Sequence, residues 1–458
     1  MDQTVTHIKT LGRRDIVLFT VSAILLLDTL AAGATVGASS VFWWVFLGIV
    51  FFVPYALICS EMGTTYPEQG GLYAWIRDAF GRRWASRATW AYWVNTTVWN
   101  PAVFILFAGI FSQMFMPNLS LTAQIGIAIL LTWIAVIVNV VTLNVGKWIP
   151  NIGAVFKVVV ILAIVFGAIR YTQDHGMANP LTYETIKPSW GSSLQYLSVI
   201  IYGMLGFELV SAGAKEMKNP ARDVPSGIFI SGLLTIVLYI AATVAILAAI
   251  PSAEVNLVEG LMETLYLFFD QTEAGRLFAL VLGIGALYTF FSNGVTWALG
   301  CNRSMAEAAA EGEFPAILAY ELPHSGTPAG AAIIMGIIST LVLLLYGFLA
   351  GSKEELFWSL FAFSAAIFLI PYIILVFAFL RMRHKDAERY RPFRVPGGNV
   401  VATLITYVCA GILTLSMILF CYTPGEGMQW PVFIGAVVIT ACGELIIRFT
   451  ESRRNAGA

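Results

Sequence analysis

Residues 15–42 read DIVLFTVSAILLLDTLAAGATVGASSVF, an apolar run with one ionisable residue, Asp28, at its middle. The run exceeds the roughly 20 residues that a helix needs to cross the hydrocarbon of a bilayer. A carboxylate at that depth costs on the order of several kcal/mol unless it faces a cavity or a counter-charge. The small residues that follow, LAAGAT at 30–35, let neighbouring backbones approach closely. Asp28 is therefore a candidate functional residue, and its run is the first of a series.

Of the 458 residues, 58% are hydrophobic and only 12% are charged. This excludes a soluble globular domain and marks an all-α polytopic membrane protein. Apolar windows recur at about 16–36, 40–59, 84–115, 121–143, 146–172, 191–214, 226–250, 277–306, 328–350, 355–380, 400–422 and 430–448, which predicts twelve transmembrane helices. Among the connections, one side of the membrane receives only four Lys or Arg residues, Arg170, Lys187, Arg276 and Lys353. Lys157 lies inside a span and the other basic residues fall on the opposite side, so both termini are expected in the cytoplasm of a cell (plasma or inner) membrane protein. A net charge of -1 disfavours nucleic acid as a partner. The five cysteines show no paired spacing, so neither a disulfide frame nor a metal site is expected, and no cofactor is implied. Residues 1–10 lack the features of a cleaved secretory signal, so the first apolar run is expected to be retained.

Two connections carry patterns of their own. Segment 251–275 places Leu257, Leu261, Leu265 and Phe268 at helical spacing among Glu254, Glu259 and Glu263, which predicts an amphipathic helix packed on the outer vestibule, with a gating role as the alternative. The loop at 381–399, RMRHKDAERYRPFRVPGGN, reads as a solvated cytoplasmic loop that needs no partner. Glu61 and Glu444 lie near span ends, where snorkelling or loop contacts account for them.

Three ionisable residues lie well inside spans: Asp28, Lys157 and Glu208. Such residues mark ion or substrate pathways. All four histidines fall in loops or tails, so a proton relay would use these three groups instead. The sixth span reads IIYGMLGFELVSAGAKEMKNP at 200–220, with Gly203 and Gly206 at its middle. Glycine weakens a helix by about 1 kcal/mol relative to alanine, and unwound backbone in a membrane is tolerated only where it lines protein or a water-filled cavity. A broken helix is expected here; the alternative is close packing of helices on small residues.

That sixth span, with GFE at 206–208 and KNPARDVP at 218–225, resembles the amino acid, polyamine and organocation transporter superfamily. YPEQGGLY at 66–73 resembles the loop after its second helix, and NRSMAEA at 302–308 with GEFP at 312–315 resembles the cytoplasmic end of its eighth. The resemblance covers nearly the whole chain and is weakest after residue 400. It implies a LeuT-like core of two inverted five-helix repeats with helices one and six broken around a midplane site, followed by two accessory helices. The corresponding divisions are 1–14, a first repeat at 15–173, an external loop at 174–190, a second repeat at 191–394, and 395–458. By the same resemblance, Ile24 and Asp28 on helix one, Asn100 on helix three, Tyr202, Gly203 and Gly206 on helix six and Trp297 on helix eight bound the substrate, Tyr202 as an aromatic gate and Trp297 as an aromatic floor. Lys157 resembles a helix-five lysine standing in place of a sodium ion, and Glu208 the family's candidate for proton-sensitive gating. Proton coupling through Lys157 and a permanently charged strut are both open.

The sequence departs from the family at one informative place. Counted from Leu11 and Gly12, the positions that the family fills with glycine on helix one fall on Ser22, Leu26 and Asp28. Family members receive a substrate carboxylate on the free amides there. A carboxylate at that point repels another by on the order of several kcal/mol at an effective dielectric near 20, and attracts an ammonium. The expected cargo is thus a small amine, polyamine or amino acid carried by alternating access, with Asp28 favouring the cationic amine; internal pairing of Asp28 within the protein is the competing reading. Exchange of an amino acid for its decarboxylation product and proton-linked uptake both fit, with protons as a further partner. A channel lacks its rings of charge, and an enzyme lacks a nucleophile with a base or metal ligands at membrane depth. A non-transporting sensor on the same fold is the remaining alternative.

Overall fold

The computed structural model describes residues 17, 20–21, 24–67, 71–141, 148–188, 194, 196–208, 219–323 and 326–456. With no water in a bilayer core to satisfy backbone groups, apolar spans fold as helices, and nearly every described element is one. In chain order they are α1 (Leu30–Ala34), α2 (Ser39–Thr65, with a π-helical turn at Gly48–Phe52), α3 (Gly71–Phe80), α4 (Arg82–Phe115), α5 (Leu121–Val141), α6 (Trp148–His175), α7 (Tyr183–Ile186) and α8 (Leu197–Tyr202). There follow α9 (Pro220–Ala249), α10 (Gly260–Phe269), α11 (Glu273–Ala310), α12 (Ala329–Leu349), α13 (Lys353–Lys385), α14 (Gly398–Cys421) and α15 (Trp430–Ala456). A two-residue hairpin, Tyr422–Thr423 with Gly427–Met428, joins the last two.

Among the described residues, ten helices are long and apolar enough to cross a membrane: α2, α4, α5, α6, α9 and α11 to α15. The centre is α13 against α4, whose apolar windows are 83% and 72% buried, whereas α15, at 17%, lies outermost. Around this pair, α11 packs on α4 and α6, and α9 on α6 and α2. The outer faces carry Leu130, Val155, Phe166, Leu341 and Phe348 in the open, as lipid-facing surfaces do.

The first and sixth predicted spans are not continuous helices. Residues 20, 21 and 24 are helical, residues 25–29 are not, and helix resumes at Leu30. Likewise α8 stops at Tyr202, and residues 203–208 are non-helical; the remainder of that span, 209–214, lies outside the described residues.

Two expectations for the connections need correction. The predicted amphipathic helix of 251–275 is only Gly260–Phe269, preceded by a 3-10 turn at Ser252–Glu254. Its start is set by the Asn256 side chain, whose Oδ1 accepts from the amides of Val258 and Glu259 at 2.8 Å each. Thr272 then caps α11 through Gly275 N–H at 3.0 Å, which ends the segment. Leu261 and Leu265 are buried as the pattern requires, and Glu259 pairs with Lys353 at the start of α13. The predicted loop at 381–399 is also more than a solvated connection: residues 381–385 extend α13 and Gly398 begins α14. Arg383 (3.2 Å), Arg391 (3.0 Å) and the Val395 amide (2.7 Å) all engage Glu61 at the end of α2, with these side chains at most 5% exposed. The cause is local: Glu61 points into protein, where a carboxylate needs its full complement of donors. Glu444 on α15 is bound by Arg87 (2.9 Å) of α4 and Arg448 (2.7 Å).

The same end of the molecule is tied through the stretches at 66–73 and 312–315. Glu313 accepts from Tyr73 (2.7 Å), Arg82 (3.0 Å) and Ser86 (2.9 Å). Burial and that carboxylate raise the Tyr73 hydroxyl above its ordinary range. Tyr66 donates to Asp386 at 3.1 Å, and burial beside Asp386 pushes its hydroxyl up to about 12.

Candidate functional site

The interruption at residues 25–29 is held by a side chain from α9. The Tyr239 hydroxyl accepts from Leu26 N–H at 2.9 Å and donates to Ile24 C=O at 3.1 Å, which serves two backbone groups released by the break. Tyr239 is fixed in turn by Trp44 of α2, whose ring stacks on it at 4.8 Å between centroids. Thr29 Oγ1 donates to Leu26 C=O at 3.3 Å, closing the turn that carries Asp28.

The second interruption meets the first. Gly206 has φ +95°, a left-handed conformation that favours glycine, and a Cβ added there would lie 3.3 Å from Ile24 Cγ1. Gly203 has an ordinary helical φ, but its missing Cβ makes room for Trp44 and Tyr239, at 3.2 and 3.3 Å. The broken-helix reading thus fits Gly206, and the close-packing alternative fits Gly203.

Asp28 is 2% exposed. Its Oδ2 accepts from Trp99 Nε1 of α4 at 3.1 Å, and its Oδ1 has no partner among the described residues. Lys157 on α6 is equally buried. Aromatic rings continue outward from Asp28. Trp99 meets Trp297 of α11 edge-on at 6.2 Å, Trp297 meets Phe368 of α13 at 6.1 Å, and Phe368 meets Tyr202 at 5.3 Å. Tyr202 also packs on Phe361, at 5.3 Å. Such faces suit an ammonium, at about 0.5 to 2 kcal/mol each.

Asn100 follows Trp99 but turns into the seam with α11, where its Nδ2 donates to Gly294 C=O at 3.2 Å and its Oδ1 has no partner among the described residues. Asn293 beside it is buried, and its Nδ2 has no partner among the described residues. Glu208 sits apart from Asp28 in its bonding: Oε2 accepts from Tyr55 of α2 and Oε1 from Tyr372 of α13, each at 2.7 Å. It also lines a cavity of about 250 Å³ with Tyr73, Tyr92, Cys301, Arg303 and Glu307. At the other end α10 covers α1, with Gly260 packed on Ala31.

The structure therefore gathers Asp28, Ile24, Gly206, Gly203, Tyr202 and Trp297 around the two interruptions. From the sequence, Trp99 is one of six residues that helix three offers around the expected site, with Trp93, Asn95, Thr96, Thr97 and Asn100, whereas Tyr239, Phe368, Tyr55 and Tyr372 are missed. Nothing in the chain marks these from the 17 tyrosines and 31 phenylalanines it contains; their roles arise from what they touch.

Residues 11–442 match the model of the amino acid permease family, and the chain belongs to that family. It is a membrane transporter of the amine and amino acid class, not an enzyme. Over 94% of its length it is 32% identical to a protein of Lactococcus lactis named a probable agmatine/putrescine antiporter, of which it covers 93%. It is 30% identical to an uncharacterized transporter of Legionella pneumophila (87% of this chain, 86% of the relative). A glutamate/gamma-aminobutyrate antiporter of Lactococcus lactis is 24% identical over 80% of the chain and 74% of that protein.

Proposed function

We propose that this transporter carries a small organic cation, an amine or diamine, in a site bounded by Asp28, Ile24, Gly203, Gly206, Tyr202 and Trp297. Asn100, whose Nδ2 is taken by Gly294, receives the distal end of the substrate through its Oδ1, and Lys157 and Glu208 serve coupling or gating. The observation that carries the reading is the Asp28 carboxylate: one oxygen is held by Trp99 and the other is left without a partner among the described residues, against a run of aromatic rings. An anionic acceptor oriented by its neighbour and still open on one side is what an ammonium requires, and it repels an α-carboxylate. The 32% identity to a relative named for agmatine and putrescine supports the same class, and two relatives named as antiporters support exchange.

The architecture we infer has twelve transmembrane helices, the ten apolar spans plus the two interrupted ones. They form inverted repeats at 15–173 and 191–394, joined by an external segment at 174–190, with accessory helices in 395–458. The bias of Lys and Arg supports cytoplasmic termini. On this orientation the cavity at Glu208 opens to the cytoplasm, while α10 and the Tyr202–Phe361 contact cover the outer side. Transport then proceeds by rocking of the interrupted helices against α4 and α11, with protons as a coupling partner through Glu208 or Lys157.

Counterflow in proteoliposomes tests the substrate. Putrescine, cadaverine, agmatine and tyramine should each drive accumulation of a labelled amine, whereas their parent amino acids should compete weakly. Competition by zwitterions alone would sink the amine reading.

A further inference from the structure

Away from the transport site, a groove of about 610 Å³ runs along the cytoplasmic third of α13 where it faces α3 and the start of α4. Its lining is apolar along α13, with Ile373, Ile374, Phe377 and Leu380, and across from it Phe80 and Trp84; Arg381 and His384 supply the polar side chains. The apolar lining and the single guanidinium match the two halves of a lipid. Trp84 is 43% exposed at the end of its span, as an interfacial tryptophan is. The Arg381 guanidinium lies 5.2 Å from the ring centroid of Phe80, which lines the same groove. It has no carboxylate partner among the described residues. The neighbouring acids are already engaged, Asp78 by Arg77 at 3.2 Å and Asp386 by the Tyr66 hydroxyl at 3.1 Å. His384 Nδ1 is bonded to Leu380 C=O at 2.7 Å, which turns Nε2 away from the helix.

We infer that this groove binds an anionic phospholipid, its phosphate on Arg381 with His384 beside it and an acyl chain along Phe377, Ile373 and Trp84. Basic residues at the cytoplasmic ends of membrane helices recognise anionic headgroups in this way, and a bare guanidinium in an apolar groove selects phosphate over a neutral surface. The occupied helix is α13, which also supplies Tyr372 to Glu208, so the lipid bears on an element of the transport core.

Native mass spectrometry of the full chain, released from detergent with added dioleoylphosphatidylglycerol or dioleoylphosphatidylcholine, tests the assignment. Wild-type protein should retain phosphatidylglycerol in preference to phosphatidylcholine. Arg381→Gln should weaken phosphatidylglycerol retention on the order of fivefold, the contribution of one basic residue at an anionic membrane surface, and leave phosphatidylcholine unchanged. Ile373→Trp, which fills the apolar lining and keeps the charge, should reduce retention of both. Equal retention of the two lipids by wild type, or unchanged phosphatidylglycerol retention by Arg381→Gln, overturns the proposal.

Discussion

Asp28→Asn separates binding from stability. Asparagine keeps the shape of the side chain and an oxygen to accept from Trp99, and replaces the oxygen that lacks a partner among the described residues with an uncharged NH2 group that donates and cannot accept. If that oxygen receives an ammonium, the loss is that of a charged hydrogen bond, about 1.5 to 3 kcal/mol, or about 10- to 140-fold in affinity. A ligand at about 100 times its wild-type dissociation constant stabilises the native state by about 2.7 kcal/mol; in the variant this falls to about 0.3 to 1.3 kcal/mol. Thermal-shift titrations with putrescine and agmatine read the difference directly. The unliganded variant should melt close to wild type, because the Trp99 bond survives and a buried charge is removed. Were Asp28 instead the internal counter-charge of Lys157, its neutralisation would strand a buried ammonium at about 3 to 5 kcal/mol and leave the ligand shift intact. A lower unliganded melting temperature with an unchanged ligand shift would refute the reasoning.

Tyr239→Phe removes the hydroxyl that serves both Leu26 N–H and Ile24 C=O. It should cost about 1 to 3 kcal/mol for each buried group left unpaired, seen as a lower melting temperature with weakened amine binding. Gly206→Ala places a side chain at φ +95° and 3.3 Å from Ile24, a strain of about 1 to 2 kcal/mol. Counterflow rates should fall, and rates equal to wild type would argue against the need for a left-handed residue in the break. Glu61→Gln removes the charge that Arg383 and Arg391 share and leaves one acceptor oxygen for those two side chains and the Val395 amide. Destabilisation of about 3 to 5 kcal/mol is expected, and hydrogen exchange should show the loop at 381–399 opening first.

Much of the molecule is legible in the chain because a bilayer leaves few choices. Spans such as 84–115 and 121–143 reappear as Arg82–Phe115 and Leu121–Val141, since a long apolar run must satisfy its backbone internally. An acid or a lysine at membrane depth identifies itself by cost, which is why Asp28, Lys157 and Glu208 stand out from hydropathy alone. Glycines in the sixth span announce the interruption, because helix propensity falls sharply there.

What residues touch across the fold is a different matter. In the chain, Glu61 and the loop at 381–399 read as a span end and a solvated connection, yet they form one buried ion-pair cluster, because their meeting depends on how α2 and α13 converge. Tyr239 lies 213 residues from the amide it receives. Local chemistry is enough to specify a membrane transporter with two weakened helices, the carboxylate of Glu208 in one and that of Asp28 in the other, since hydropathy and glycine act over a few residues. It takes the packed fold to bring Trp99 to one oxygen of the Asp28 carboxylate, Tyr239 to the broken backbone, and Tyr55 and Tyr372 to Glu208, since bonds between distant side chains depend on packing that no local pattern encodes.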